Sequence, residues 1–125
     1  MNLGIESEKI EFKKNTNELV NGVISLSAML NKHNEGTVYF GVENNGDVIG
    51  QKDLNENTLR DVSERISEGI KPKVFPIVSL MLIGDRKIIK VYVNGNNVPY
   101  SAFGKYYYRS FDVDHLVSLK MLKTL

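Results

Sequence analysis

The chain of 125 residues contains no cysteine and no long hydrophobic run. Without cysteine there can be no disulfide framework, no thiolate metal site and no cysteine nucleophile. No segment reaches the roughly 18 to 20 apolar residues that cross a bilayer, and residues 1–14 lack the apolar centre of a signal peptide. We therefore expect one cytoplasmic domain without a membrane partner.

The chain also lacks an excess of charge, because 16 Lys and Arg residues stand against 15 Asp and Glu residues, for a formal net charge of +1. Any attraction to nucleic acid must come from the distribution of charge. That distribution is uneven, since residues 71–109 hold seven basic residues and one acidic residue, Asp85. His33 and His115 lack the spacing of a metal-binding pair, and no Gly-Lys-Ser/Thr phosphate loop occurs.

Apolar periodicity predicts a single α+β domain over residues 1–125. Period-two and β-prone stretches predict strands, and apolar residues at intervals of three and four predict helices. The expected strands are residues 6–13 at a sheet edge, 37–42 with a return at 48–49, 77–83, 87–93 and 105–111, and the expected helices are 17–33, 54–70 and 112–125. Together they predict a mixed, mostly antiparallel β-sheet packed with two or three α-helices.

The stretch GTVYFGVENNGDVIG at residues 36–50 combines a strand with a turn. The pair Asn45-Gly46 favours a tight two-residue hairpin turn, in which both positions have a positive φ. Alternation along the strand predicts that Val38, Phe40 and Val42 point to one face of the sheet.

Aromatic and basic residues alternate along the predicted strand KYYYRSF. In an extended chain Lys105, Tyr107 and Arg109 share one face. Lysine and arginine contact phosphates, and an exposed tyrosine ring stacks on an unpaired base. The predicted nucleic-acid contacts are these three residues and two on the neighbouring predicted strand, Lys87 and Lys90. In the alternative interpretation the tyrosines cover the core, and the cations lie at its rim.

Four stretches match, in chain order, the motifs of one family. They are ESEKIEFKK at 6–14, SAMLN at 27–31, EGTVYFGVENNGDVIG at 35–50 and GKYYYRS at 104–110. On these motifs the chain resembles the divergent AlbA-type domain that Schlafen proteins share with many prokaryotic transcriptional regulators. Two positions depart from the family pattern. Glu35 replaces the first glycine of a GGT motif, and Asn44 follows Glu43 where many members have two acids.

The resemblance implies DNA binding in prokaryotic members, where the domain precedes other modules of regulators, some of them helicase-related. In Schlafen relatives it implies a carboxylate trio that cleaves RNA with a divalent metal. By motif position the trio here is Glu6, Glu11 and Glu43. Three carboxylates could hold Mg²⁺ or Mn²⁺ and orient a water for attack on a phosphodiester. Asn44 removes a fourth acid, and the alternative is that the glutamates are solvated charges at strand ends.

We therefore expect a nucleic-acid-binding domain of a transcriptional regulator, cut from a longer protein, which binds DNA or RNA without a cofactor and is not an enzyme. One alternative is a Schlafen-type metal-dependent endoribonuclease, which would need Mg²⁺ or Mn²⁺. Another is a protein-interaction or oligomerisation domain, which the net charge near zero favours. We also expect additional domains in the full-length protein, and the sequence is compatible with a homodimer.

Overall fold

Residues 1–124 are described by a computed structural model with eight β-strands and three α-helices. The strands are β1 (Ile10–Lys13), β2 (Glu35–Phe40), β3 (Ile70–Lys71), β4 (Ile77–Ile83), β5 (Arg86–Asn94), β6 (Ser101–Ala102), β7 (Lys105–Ser110) and β8 (Val113–Leu116). The helices are α1 (Leu19–His33), α2 (Glu56–Gly69) and α3 (Leu119–Leu122). Within this described part of the chain, none of the helices is long and apolar enough to cross a membrane.

The strands form two four-stranded sheets, in the orders β1-β2-β5-β4 and β3-β6-β7-β8. β1 runs parallel to β2, and the other strand pairs of residues 1–124 are antiparallel. A parallel pair needs a crossover connection, which α1 supplies. Because α1 contacts both β2 and β7, it lies between the two sheets. The predicted α+β fold is confirmed, with the strands divided between two sheets.

Two glycines allow α1 to lie close to β2. A Cβ atom on Gly22 of α1 would lie 2.7 Å from the ring of Phe40, and one on Gly36 of β2 would lie 2.6 Å from Cβ of Met29. Phe40 and Met29 are fully buried in the larger of two cores, to which α1, α2 and the first sheet contribute. Because Gly22 and Gly36 have no side chains, α1 can lie this close to β2.

A smaller core covers the opposite face of the first sheet and contains Phe12, Val42, Val48 and Ile88. The prediction that Val42 shares a face with Phe40 is wrong. Gly41, between them, has a φ of +102°, which ends the strand and redirects the chain. Val42 therefore packs on the far side of the sheet.

The turn after β2 has three residues rather than two. The Glu43 N–H donates to the Asp47 carbonyl and the Gly46 N–H donates to the Glu43 carbonyl, each at 2.8 Å. Gly46 has a φ of +93°, whereas Asn45 has an ordinary negative φ. This is the geometry of a three-residue hairpin loop with glycine in the left-handed position. The chain reverses where the sequence predicts, by a different turn.

The predicted helix over residues 112–125 is wrong for most of its length. Val113–Leu116 form β8, which pairs antiparallel with β7, and Leu119–Leu122 are helical. Phe111 has a φ of +60° and reverses the chain, so that β8 returns along the tyrosine-rich β7. Leu125 lies outside the described residues.

Candidate functional site

Arg109 lies at the centre of an ion cluster that joins the two sheets. Its side chain is 0% exposed, and its Nη2 donates to Oε1 of Glu11 while Nη1 donates to Oδ1 of Asp114, each at 2.9 Å. Nη2 also donates to the backbone oxygens of Ser7 at 2.8 Å and Ile10 at 3.2 Å. The cluster therefore ties β7 and β8 to β1 and to the loop that precedes β1.

The charge of Arg109 is compensated inside the protein by two carboxylates, while its buried Nε has no hydrogen-bond partner among residues 1–124. Burial alone would lower the pKa of its guanidinium, but the hydrogen bonds and charges of Asp114 and Glu11 outweigh burial and raise that pKa. Ser25 of α1 extends the cluster, because its hydroxyl donates to Oδ2 of Asp114 at 2.6 Å. Arg109 therefore has a structural role, because its charge pairs with one carboxylate from each of the two sheets.

The strand face shared by Lys105, Tyr107 and Arg109 points into the protein. Tyr107 packs against the larger core, Arg109 is buried, and Lys105 is exposed at the start of β7. The prediction that these three side chains form one exposed face is wrong, because α1 packs on β7. In this arrangement a phosphate does not reach Arg109.

Two members of the predicted carboxylate trio meet, and the third lies apart from them. Glu6 and Glu11 share a hydrogen bond between their carboxyl groups. Glu43 lies instead beside Lys14, with 3.8 Å between its Oε2 and the lysine Nζ. Among residues 1–124, no group of three or more His, Cys, Asp and Glu side chains is arranged to hold a metal ion.

Burial and the neighbouring Glu11 carboxyl change the titration of Glu6. Burial, followed by the hydrogen bond with the Glu11 carboxyl, raises the pKa of Glu6 to about 7. The backbone N–H of Phe12, which donates to Glu6 Oε2 at 2.9 Å, opposes this rise. Glu6 therefore keeps its proton to a higher pH in the folded protein than in the unfolded chain.

This raised pKa predicts that the protein becomes less stable as the pH rises from 4.5 to about 7. In that window the folded chain keeps the Glu6 proton and the unfolded chain has lost it, so the free energy of unfolding decreases with pH. Glu6→Gln, which cannot ionise, should flatten the decrease. Thermal unfolding followed by circular dichroism measures it. The matched control is Glu64→Gln on the exposed face of α2, which should behave as the wild type. Equal pH dependence in the wild type and Glu6→Gln would contradict the prediction.

Exposed cations come together at a surface pocket of about 400 Å³. Its lining joins the segment Ile49–Lys52 to the turn Asp85–Lys87, and the Gln51 N–H donates to the Lys87 carbonyl at 2.9 Å. The basic side chains are Lys52, Arg86 and Lys87, and the acidic one is Asp85. Nη1 of Arg86 donates to the Ile49 carbonyl at 2.9 Å, which orients the guanidinium. We call these residues the cationic pocket.

The structure separates the predicted nucleic-acid contacts. Lys87 lines the cationic pocket, whereas Lys90, an odd number of residues away on β5, points to the opposite face of the sheet, half-buried beside Tyr39 and Ser79. Lys105 is on the second sheet. Sequence reasoning missed Lys52 and Arg86, because only the fold brings the loop before α2 to the β4–β5 turn.

Asn31, the last residue of the SAMLN stretch, is a second residue whose role the sequence did not reveal. Its Nδ2 donates to the carbonyls of Tyr100 at 2.9 Å and Tyr107 at 2.7 Å, and its Oδ1 accepts from the Tyr100 N–H at 2.6 Å. The side chain is buried, so these bonds attach α1 to the second sheet. This motif position serves the fold.

A family model described as Schlafen, AlbA_2 matches residues 6–117. The chain belongs to the Schlafen AlbA_2 family. The resemblance inferred from the four sequence stretches is thereby confirmed. No curated protein matches the chain.

Two solved structures share the fold of this AlbA_2 domain. The crystal structure of the DIP2311 protein from Corynebacterium diphtheriae has a TM-score of 0.70 at 18% identity, over 88% of this chain and 22% of that chain. The N-terminal domain of a protein from Nitrosomonas europaea, named as related to the ATP-dependent DNA helicase RecG, has a TM-score of 0.58 at 22% identity, over 74% of this chain and 67% of that chain. The AlbA_2 domain spans about a fifth of the DIP2311 protein, and the likeness is one of fold.

The carboxylates of this AlbA_2 domain do not fit a divalent metal. Both oxygens of Glu11 are engaged, Oε1 by Arg109 at 2.9 Å and Oε2 by Nζ of Lys13 at 3.3 Å. A divalent cation at Glu11 would lie beside the charges of Arg109 and Lys13, and both would repel it. Glu43 is oriented toward Lys14 instead.

Proposed function

We propose that the chain is the nucleic-acid-binding module of a transcriptional regulator and that the cationic pocket is the centre of its contact surface. The observation that carries the proposal is the convergence of Lys52, Arg86 and Lys87 on one pocket in a chain whose net charge is +1. Clustered lysine and arginine side chains attract phosphates whatever the total charge of the protein. Membership of the Schlafen AlbA_2 family supports this function, as does the N. europaea neighbour named as related to a DNA helicase.

The lining of the pocket indicates what part of a nucleic acid it contacts. Lysine ammonium groups and an oriented guanidinium bind phosphate oxygens, and the lining includes no aromatic ring on which a base could stack. Contacts to phosphates position a nucleic acid without reading its bases. We therefore expect binding that depends strongly on salt and weakly on sequence.

Salt dependence tests the proposal quantitatively. If the three cations neutralise about three phosphates, the logarithm of the affinity for duplex DNA should fall against the logarithm of salt concentration with a slope of about −2.7. Lys87→Ala should reduce the slope to about −1.8, since each contact contributes about 0.9. Fluorescence anisotropy with labelled duplex and single-stranded oligonucleotides at several salt concentrations provides the slopes.

The matched control is Lys120→Ala on α3, an exposed cation outside the pocket, which should keep the wild-type slope. Lys90→Ala and Lys105→Ala show whether those two predicted contacts add to the pocket. If the wild type binds neither duplex nor single strand at low salt, nucleic-acid binding is refuted. If Lys105→Ala alone lowers the slope, the contact surface is on the second sheet.

Metal-dependent RNA cleavage is the weaker hypothesis. The engaged oxygens of Glu11 and the separate position of Glu43 both speak against a shared metal. Cleavage of a structured RNA that requires Mn²⁺ and is abolished by Glu43→Gln, a substitution at a half-exposed site, would favour the nuclease over the binding module.

A further inference from the structure

β4 is a sheet edge without a charged residue. Pro76 immediately precedes it, but its own sequence IVSLMLI has no charge and no proline, and its register with β5 is continuous from Ile77 to Ile83, without a bulge. Proteins usually place charges, prolines or bulges at an edge to prevent pairing with another chain. The other terminal strands of the two sheets contain ionisable side chains, with Glu11 and Lys13 in β1, Lys71 in β3, and Asp114 and His115 in β8.

The backbone of β4 offers an open row of hydrogen-bonding groups. The two-residue turn Gly84-Asp85 makes Ile83 and Arg86 a hydrogen-bonded pair, and such pairs alternate along an antiparallel ladder. The N–H and C=O groups of Val78, Leu80 and Leu82 therefore point away from β5. Within residues 1–124 no other strand pairs with this side of β4.

The side chains of β4 are also unusually apolar for an edge strand. Ile77 is 59% exposed, Leu80 is 41% exposed and Leu82 is 65% exposed, and Phe75 just before the strand is 78% exposed. Leu80 and Leu82 lie on one face of the sheet and Ile77 on the other, so apolar side chains are exposed on both faces along this edge. A strand added at this edge would bury the apolar side chains and satisfy the open backbone groups at once.

We propose that β4 pairs antiparallel with β4 of a second copy of the chain, so that two first sheets become one continuous sheet. The two-fold axis passes between Leu80 and the partner's Leu80. In this register Val78 lies opposite the partner's Leu82, so that each residue with outward backbone groups meets another such residue.

The side chains match in the same register. On one face Leu80 meets the partner's Leu80 and Val78 meets the partner's Leu82. On the other face Ser79 meets the partner's Met81, and Ile77 meets the partner's Ile83. Each cross-strand pair is apolar or neutral, and no like charges oppose each other, which is what strand self-pairing requires. The strand has no charge that a second copy would repel, and its odd length places Leu80, with its outward backbone groups, at the two-fold axis, which favours a second copy of the chain as the partner.

A lysine at the two-fold axis should prevent the pairing. In Leu80→Lys two ammonium groups would lie opposite each other across the interface. We expect a dimer of the wild type and a monomer of Leu80→Lys when both are measured by light scattering after size exclusion at the same high concentration. Leu116→Lys is the control, because Leu116 is an exposed leucine on β8, the terminal strand of the other sheet, and this variant should stay dimeric.

Charge complementation tests the axis itself. Leu80→Glu alone should also be monomeric, and an equimolar mixture of Leu80→Lys and Leu80→Glu should restore the dimer mass, since opposite charges then meet at the axis. The absence of cysteine allows a second test that does not depend on charge. Paired Cα atoms at this position would be about 5.5 Å apart, within the range of a disulfide. Leu80→Cys should therefore form a disulfide-linked dimer on oxidation, whereas Leu116→Cys should not.

A wild type that is monomeric at all concentrations would overturn the proposal, as would a dimer that Leu80→Lys leaves intact. A dimer without Leu80→Cys cross-linking would place the interface elsewhere and would also overturn it. These readouts are masses and covalent links, so they are independent of whether the chain binds nucleic acid.

Discussion

Replacing Arg109 with alanine is expected to lower the free energy of unfolding by about 3 to 5 kcal/mol, the usual result of removing one partner from a buried ion pair. The guanidinium is fully buried and contacts Glu11, Asp114 and two backbone carbonyls. Without it two carboxylates are left inside the protein with fewer partners, and the connection between the sheets is lost. Urea denaturation followed by circular dichroism measures the loss.

Further substitutions show how much of the lost stability comes from leaving the two carboxylates unpaired. Adding Glu11→Gln and Asp114→Asn to Arg109→Ala removes the unpaired charges, and this triple variant should recover part of the stability. Lys105→Ala, on the same strand but exposed, should change the free energy of unfolding by less than about 0.5 kcal/mol. A cost below about 1 kcal/mol for Arg109→Ala would contradict its structural role and would reopen its assignment as a nucleic-acid contact.

Phe40→Ala is expected to cost about 3 to 5 kcal/mol, since it removes a fully buried ring from the larger core. A Cβ atom on Gly22 would lie only 2.7 Å from Cζ of this ring. Gly22→Ala alone should therefore destabilise the protein, because the cost of overpacking exceeds the roughly 1 kcal/mol that alanine gains over glycine in a helix.

The two substitutions should be strongly coupled. In the Phe40→Ala background the added methyl group enters the vacated space, so Gly22→Ala should become neutral or stabilising. A double-mutant cycle in urea measures the coupling energy. Additive effects would mean that α1 and β2 can move apart and that the close approach at Gly22 does not determine their packing.

The positions of the exposed basic side chains determine where a nucleic acid is expected to bind. The acid-poor stretch of residues 71–109 suggested one basic surface, but its cations are distributed over the cationic pocket, the outer face of the first sheet and the second sheet. Binding is therefore expected to concentrate at Lys52, Arg86 and Lys87, with the salt slope as its measure.

The sequence by itself determined the elements whose stability comes from nearby residues. The period of apolar residues located α1 and α2, and the apolar runs at residues 77–83 and 87–93 located β4 and β5 within one or two residues. Periodicity and turn residues act within a few positions of the chain, so they can be read without the fold. The four family motifs were equally readable, and the family model confirms them.

The tertiary structure alone decided which polar residues are exposed. Asp114 is five positions from Arg109, but Glu11 is 98 positions away, and only the fold brings that second carboxylate to the guanidinium. The same holds for Lys52 beside Arg86 and for β8, whose residues became a strand because β7 offered them a partner. Burial and long-range pairing are properties of the assembled sheets, and a local pattern carries no information about which distant segment completes them.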